Sequence, residues 1–173
     1  TYMPPKGAGH RSEQMGFLAK LGHEKLTSPR LGEWLTALES SAIADETEAV
    51  NVREIRRVYD RAVKMPGKLV EEIAKTVSQA QNFWAEARKK NDFPAFAPWL
   101  EKIVNLKREE ANVVGFKESP YDALLDEFEP GATAAEITRV FADLRADLVK
   151  LVAEIAATGK KPNVEILGRE YPV

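Results

Sequence analysis

The stretch 133–158, "TAAEITRVFADLRADLVKLVAEIAAT", decides the fold class. Ile137, Val140, Phe141, Leu144, Leu148, Leu151, Val152 and Ile155 recur every three or four residues, the spacing that gathers side chains into one stripe of an α-helix. A half-buried strand would alternate with a period of two, and this stretch does not. Thr133 followed by Glu136 makes a capping box, because the hydroxyl and the carboxylate can each serve a backbone N–H that the helix start leaves open. Gly159 stands where the helix needs a residue tolerant of left-handed backbone in order to stop.

The same period runs outward through the chain. Over 66 to about 91, Leu69, Val70, Ile73, Val77, Ala80, Phe83, Trp84 and Ala87 form an inner face, and Pro66 suits a first helical turn. Before it, Val52, Ile55, Val58, Tyr59, Ala62 and Val63 mark a helix that stops near Met65, where the following proline disfavours helical backbone. After it, Phe96, Trp99, Leu100, Ile103, Val104, Leu106 and Ala111 mark another that ends at Gly115. Shorter helices are expected over 8–26, 29–38 and 121–128. Short Pro/Gly/Ser/Asp joins separate them, without a repeat or a low-complexity linker. The last stretch, "KKPNVEILGREYPV", loses the helical pattern and leaves Ile166, Leu167, Tyr171 and Val173 without an obvious place to bury. The expectation is an all-α array of long antiparallel helices, a single helical domain over 1–173, with both ends cut from a larger body.

Composition narrows the partners. The 173 residues are 44% hydrophobic and 30% charged, a soluble globular balance. A net charge of −2 argues against nucleic acid, whose phosphates call for a positive excess. No cysteine is present, which removes thiolate catalysis and cysteine-ligated metal and fits a reducing cytoplasm. No apolar run approaches the roughly 18 residues of a membrane span. The start, "TYMPPKGAGHR", has neither an apolar signal region nor an initiator methionine, so the expectation is a chain that begins inside a longer product, or after processing or trimming.

Candidate chemistry is thin. "LGHEKLTS" (21–28) opens like the zinc-peptidase motif H-E-x-x-H, but Thr27 stands where the second histidine belongs. Zinc needs at least three protein ligands, and the only two histidines, His10 and His23, are thirteen residues apart on one expected helix. At 1.5 Å per residue that is about 20 Å, too far for one ion. His23 and Glu24 therefore read as helix surface, and a site joining His10 or His23 to carboxylates remains an outlying alternative. In "REIRRVYDRAVK", Arg53, Arg56, Arg57, Arg61 and Lys64 share a face that reads as solvated and paired with acids such as Glu54 and Asp60. The carboxylates Glu71, Glu72, Glu109, Glu110, Asp122, Asp126 and Glu129 read as exposed, since acid–base work would need a dry pocket and a partner. Phe83, Trp84, Phe93, Phe96 and Trp99 straddle one helix junction and read as core. No G-x-S-x-G or phosphate-cradling glycine loop occurs.

Several segments together resemble the N-terminal part of the carboxypeptidase Taq family of thermostable zinc metallocarboxypeptidases. "TYMPPKGAGHRSEQMGFLAKLGHEKLT" is similar to the family's "T-x-M-P-x-x-G" opening and following helix, and "EAVNVREIRRVYDRA" to its next long helix. "WAEARKKNDFPAFAPWLEKIVNLKREEA" resembles "W-x-x-A-R-x-x-x-D-F", and "PYDALLDEFEPG" resembles "Y-D-x-L-L-D-x-Y-E-P-G". Phe128 departs from that pattern by standing where tyrosine is usual, and the Trp-Asp pair that precedes the family's opening is absent.

The resemblance implies a larger H-E-x-x-H-type helical fold split by a groove, with zinc at its floor, a homodimeric assembly, and release of single residues from peptide C-termini. The zinc ligands and the catalytic glutamate belong to a later part of a longer chain. No position here matches them, so no catalytic or metal residue is carried over and no metal is expected on this chain. The implied role is scaffold and groove wall, inactive alone, with part of its apolar surface exposed and prone to self-association. The rival is a stand-alone, non-catalytic helical interaction module derived from such an enzyme.

Overall fold

The computed structural model describes residues 5–169, and all regular structure among them is helical. The chain divides into two compact units, Thr1–Leu124 and Leu125–Val173. A 3-10 turn at Pro5–Gly7 leads the first unit into α1 (Ala8–Leu26), α2 (Pro29–Glu39), α3 (Glu46–Ala62), α4 (Gly67–Lys90) and α5 (Phe93–Val114), and α6 (Pro120–Leu125) crosses into the second. The second unit continues with α7 (Ala134–Ala157) and a 3-10 turn at Glu165–Gly168. Tyr171 and Val173 of the closing stretch lie outside the described residues.

Local chemistry explains where the helices begin and end. Asp45 accepts from Glu48 N at 2.9 Å and starts α3, and Asp92 accepts from Ala95 N at 3.1 Å and starts α5. Pro66 sits one residue before α4, in extended backbone, rather than in its first turn. Asn91 closes α4 in left-handed backbone at φ 51°, a conformation its short polar side chain tolerates better than most. The α4–α5 connection is therefore a two-residue turn, Asn91-Asp92, and the helices it joins must run antiparallel. At the start of α7 the expected capping box is present, with Glu136 N donating to Thr133 Oγ1 at 3.2 Å and Thr133 N donating to Glu136 Oε2 at 3.0 Å.

In the first unit, α4 is the shared partner: α1 packs along one side of it and α5 along another, while α2 pairs with α3. Cross-contacts fix the α1–α4 register. Ser12 accepts from Gln79 Nε2 at 3.0 Å, Glu13 meets Lys75 Nζ at 2.7 Å, and Lys20 lies 3.7 Å from Glu71. Partner numbers fall on α4 as they rise on α1, so this pair is antiparallel too. Gly16 is needed at the crossing, because a Cβ there would come within 2.6 Å of the Lys75 stem. Without that gap Lys75 could not lie across α1 and hold Glu13 and Glu71 together. Ser12 of α1 and Thr76 of α4 are almost fully buried, and Leu69, Ala80 and Ala87 of α4 and Ala111 of α5 are buried apolar residues of this unit.

Candidate functional site

The residues that the sequence marks for chemistry do not converge. His10 and His23 both lie on α1, with His10 exposed beside the Gln14 amide at 3.2 Å and His23 half-buried near Gly67. Thr27 ends that helix, and its hydroxyl donates to the His23 carbonyl at 2.8 Å. The threonine in the second-histidine position is a helix C-cap. Among the described residues no group of three or more His, Asp or Glu could hold a metal ion.

The basic run of α3 does pair with acids, as its spacing suggests, but it also reaches beyond its own helix. Arg53 and Arg57 hold Glu54 at 3.2 and 3.1 Å, and their hydrogen bonds keep the Glu54 carboxyl below its usual range. Arg56 instead binds Glu39 of α2 through two nitrogens, at 2.7 and 2.9 Å, which lowers Glu39 and raises the guanidinium. Arg61 donates to the Ala123 carbonyl at 2.7 Å and to Glu110 at 3.0 Å, tying α3 to α5 and α6. Glu110 takes a second cation, Lys107, at 2.7 Å. With 7% exposure it corrects the expectation of a solvated carboxylate: a tertiary partner two helices away drew it inward, and spacing along one helix does not show such a partner.

Glu71 and Glu72 cannot act as neutral-pH acids. Hydrogen bonds from Lys75 and Lys102 respectively hold both carboxyls below their ordinary value, and Lys20 adds to the effect on Glu71. Lys75, shared by Glu13 and Glu71, is correspondingly raised. These are anchored ion pairs, and none of them presents an ionisable group poised near the working pH of a general acid or base.

One open feature among the described residues is apolar. Phe141, Leu144, Leu148, Val149 and Val152 of α7 line a groove of about 520 Å³ with Arg145 at its edge. From Val140 to Ile155 the large apolar residues of α7 are 45–62% exposed, and no residue of this helix is buried. The aromatic cluster also departs from its expected place in a core. Phe83 and Trp99 stack at 4.6 Å, yet Phe83, Trp84 and Phe93 are 51, 45 and 63% exposed. Helical periodicity marks a face that wants cover without saying which chain supplies it. Phe128, the departure from the tyrosine pattern, is 77% exposed.

Comparison with known proteins places these helices. The family model "Carboxypeptidase Taq (M32) metallopeptidase" matches residues 1–173. Thermostable carboxypeptidase 1 of Thermus thermophilus is 42% identical over 100% of this chain and 36% of its own length, and the Pyrococcus furiosus protein of the same name is 35% identical over 99% and 33%. The crystal structure of the Deinococcus radiodurans M32 carboxypeptidase superposes with a TM-score of 0.75 at 32% identity, over 99% of this chain and 34% of that one. The chain thus spans about a third of the length of the relatives it matches.

Proposed function

Because the chain belongs to the carboxypeptidase Taq (M32) metallopeptidase family and corresponds to its N-terminal portion, we propose that it is the helical wall of a zinc-dependent carboxypeptidase. In this reading it shapes one side of a peptide-binding groove, and single residues leave peptide C-termini at a zinc held elsewhere in the enzyme. The observation that carries the reading is a match along the whole chain to a third of each relative.

Family chemistry implies zinc, and the residues present do not fit it. His10 and His23 are about 20 Å apart along one helix, and the described carboxylates form no ligand cluster. No catalytic step is assigned to this chain. Its contribution is positional: within the first unit Arg56 ties α2 to α3, Arg61 ties α3 to α5, and Lys75 ties α1 to α4, an array against which a peptide and a catalytic half can be held. No described helix is long and apolar enough to cross a membrane. A cytoplasmic setting and pairing of subunits complete the reading, and a monodisperse monomer at tens of micromolar in light scattering counts against the pairing.

The experiment is a C-terminal residue-release assay with metal analysis of the 173-residue chain. It should bind no stoichiometric zinc and release nothing, while the encoding gene carries an in-frame H-E-x-x-H beyond Val173. Zinc-dependent release by the chain alone would sink the reading. A stop codon soon after Val173 favours the stand-alone interaction module, a rival supported by the same exposed apolar faces.

A further inference from the structure

At about 100° per residue, the charged side chains Glu136, Arg139, Asp143, Asp147, Lys150 and Glu154 of α7 fall within an arc of roughly 80°. Leucine, isoleucine, valine, phenylalanine and alanine take roughly 220° of the rest, interrupted by Thr138 and Arg145. A helix of that pattern belongs inside a body, flanked by neighbours on more than one side. The seam of a two-helix pair is narrower, confined to the a and d positions of a heptad. Pairing with one α7 of a second copy could cover Leu144 and Leu148, but it would leave the Val149, Ala153 and Ala156 side bare.

The eight large apolar residues from Val140 to Ile155 are each 45–62% exposed, a continuous face on the scale of the ~800 Å² that each partner contributes to a standard interface. The relatives supply a candidate of adequate size, since 64–67% of their length lies outside the region this chain matches. We propose that the broad apolar face of α7 is the docking surface for that remaining two thirds of an M32 chain, and that Phe141, Leu148, Val149 and Val152 are its central contacts. The proposal rests on the reading of this chain as one wall of the enzyme. It adds which helix carries the junction.

The test co-expresses the tagged 173-residue chain with the unmatched remainder of the Thermus thermophilus relative and weighs the product by light scattering after gel filtration. The expected result is a one-to-one complex. The double variant Leu148→Glu and Val152→Glu should reduce co-purification at least tenfold, while Arg139→Glu, in the charged arc, leaves it within twofold. Glutamate is a good helix former, and circular dichroism of the isolated variant confirms that α7 persists.

A double variant that co-purifies like wild type overturns the proposal. So does an α7-mediated homodimer that the remainder does not displace. If the pieces do not associate in trans, they are joined in one polypeptide, where the double variant should lower Tm by about 10 °C or more. An unchanged Tm there overturns the proposal. Peptidase assay of the joined chain keeps the two claims separate. Activity with an unchanged Tm defeats the docking surface alone, and an α7-dependent Tm without C-terminal release defeats the functional reading alone.

Discussion

Replacing Arg61 by alanine removes a tertiary link among α3, α5 and α6. The side chain makes charge-assisted hydrogen bonds to Glu110 at 3.0 Å and to the Ala123 carbonyl at 2.7 Å. Breaking a fully buried ion pair costs about 3–5 kcal/mol, because the stranded partner stays buried. Two features reduce that figure here. The Arg61 side chain is 20% exposed, and Lys107 remains on the other Glu110 oxygen at 2.7 Å.

An expected loss of about 2 kcal/mol follows, and at about 2–4 °C per kcal/mol for a chain of this size it corresponds to a fall in Tm of roughly 4–8 °C. Thermal and urea unfolding followed at 222 nm measure it. A double-mutant cycle with Arg61→Met and Glu110→Gln isolates the pair, and a coupling of about 1 kcal/mol or more is expected. Coupling below about 0.5 kcal/mol would refute the reasoning, since the two residues would then be separate surface charges.

Acid should destabilise the chain in a definite window. The carboxyls of Glu39, Glu54, Glu71, Glu72 and Glu86 are all depressed below 4.5 by hydrogen bonds from Arg or Lys. The unfolded chain therefore takes up protons first as pH falls, so their stabilisation is full above about 4.5 and disappears as pH drops through the folded values. Tm should hold level from pH 8 to 6 and fall below about 4.5, and a Tm unmoved between pH 6 and 3 contradicts this. Thr133→Ala removes the α7 capping box and should cost about 1 kcal/mol, read as faster hydrogen exchange of the first-turn amides, with no change elsewhere. At Asn91, φ 51° makes substitution a sign test: Asn91→Ala should lose about 1 kcal/mol, whereas Asn91→Gly should be neutral or slightly stabilising in urea melts.

The helices were legible in the sequence because their signals are local. Thr133 and Glu136 lie three residues apart, and the stop at Gly115 and the limits of 8–26 emerge as expected. What escaped is tertiary. Nothing in "LKREEAN" separates Glu110 from Glu109, yet one is buried against Arg61 and the other exposed. Ser12 and Gly16 carry no outward sign that one accepts from Gln79 and the other makes room for Lys75. Such roles depend on which helix lies opposite. Phe83, Trp84 and Phe93 departed from the core, while Phe96 and Trp99 are half-buried, for the complementary reason, since periodicity identifies an apolar face whether or not the chain covers it.

The two-residue turn at Asn91-Asp92 also bears on the order of assembly. It closes the α4–α5 hairpin across almost no intervening chain, whereas the Ser12–Gln79 bond joins residues 67 apart in sequence. Closing the longer loop costs more chain entropy before any contact rewards it, so the hairpin should form early and α1 dock late. Late contacts are absent from the transition state, and their loss speeds unfolding while leaving folding almost untouched. In stopped-flow traces Gln79→Ala should therefore move the unfolding limb of the chevron, and a slowed folding limb would place α1 in the nucleus instead. A helix that arrives last is also the first to leave, which makes α1 the point where a protease would begin.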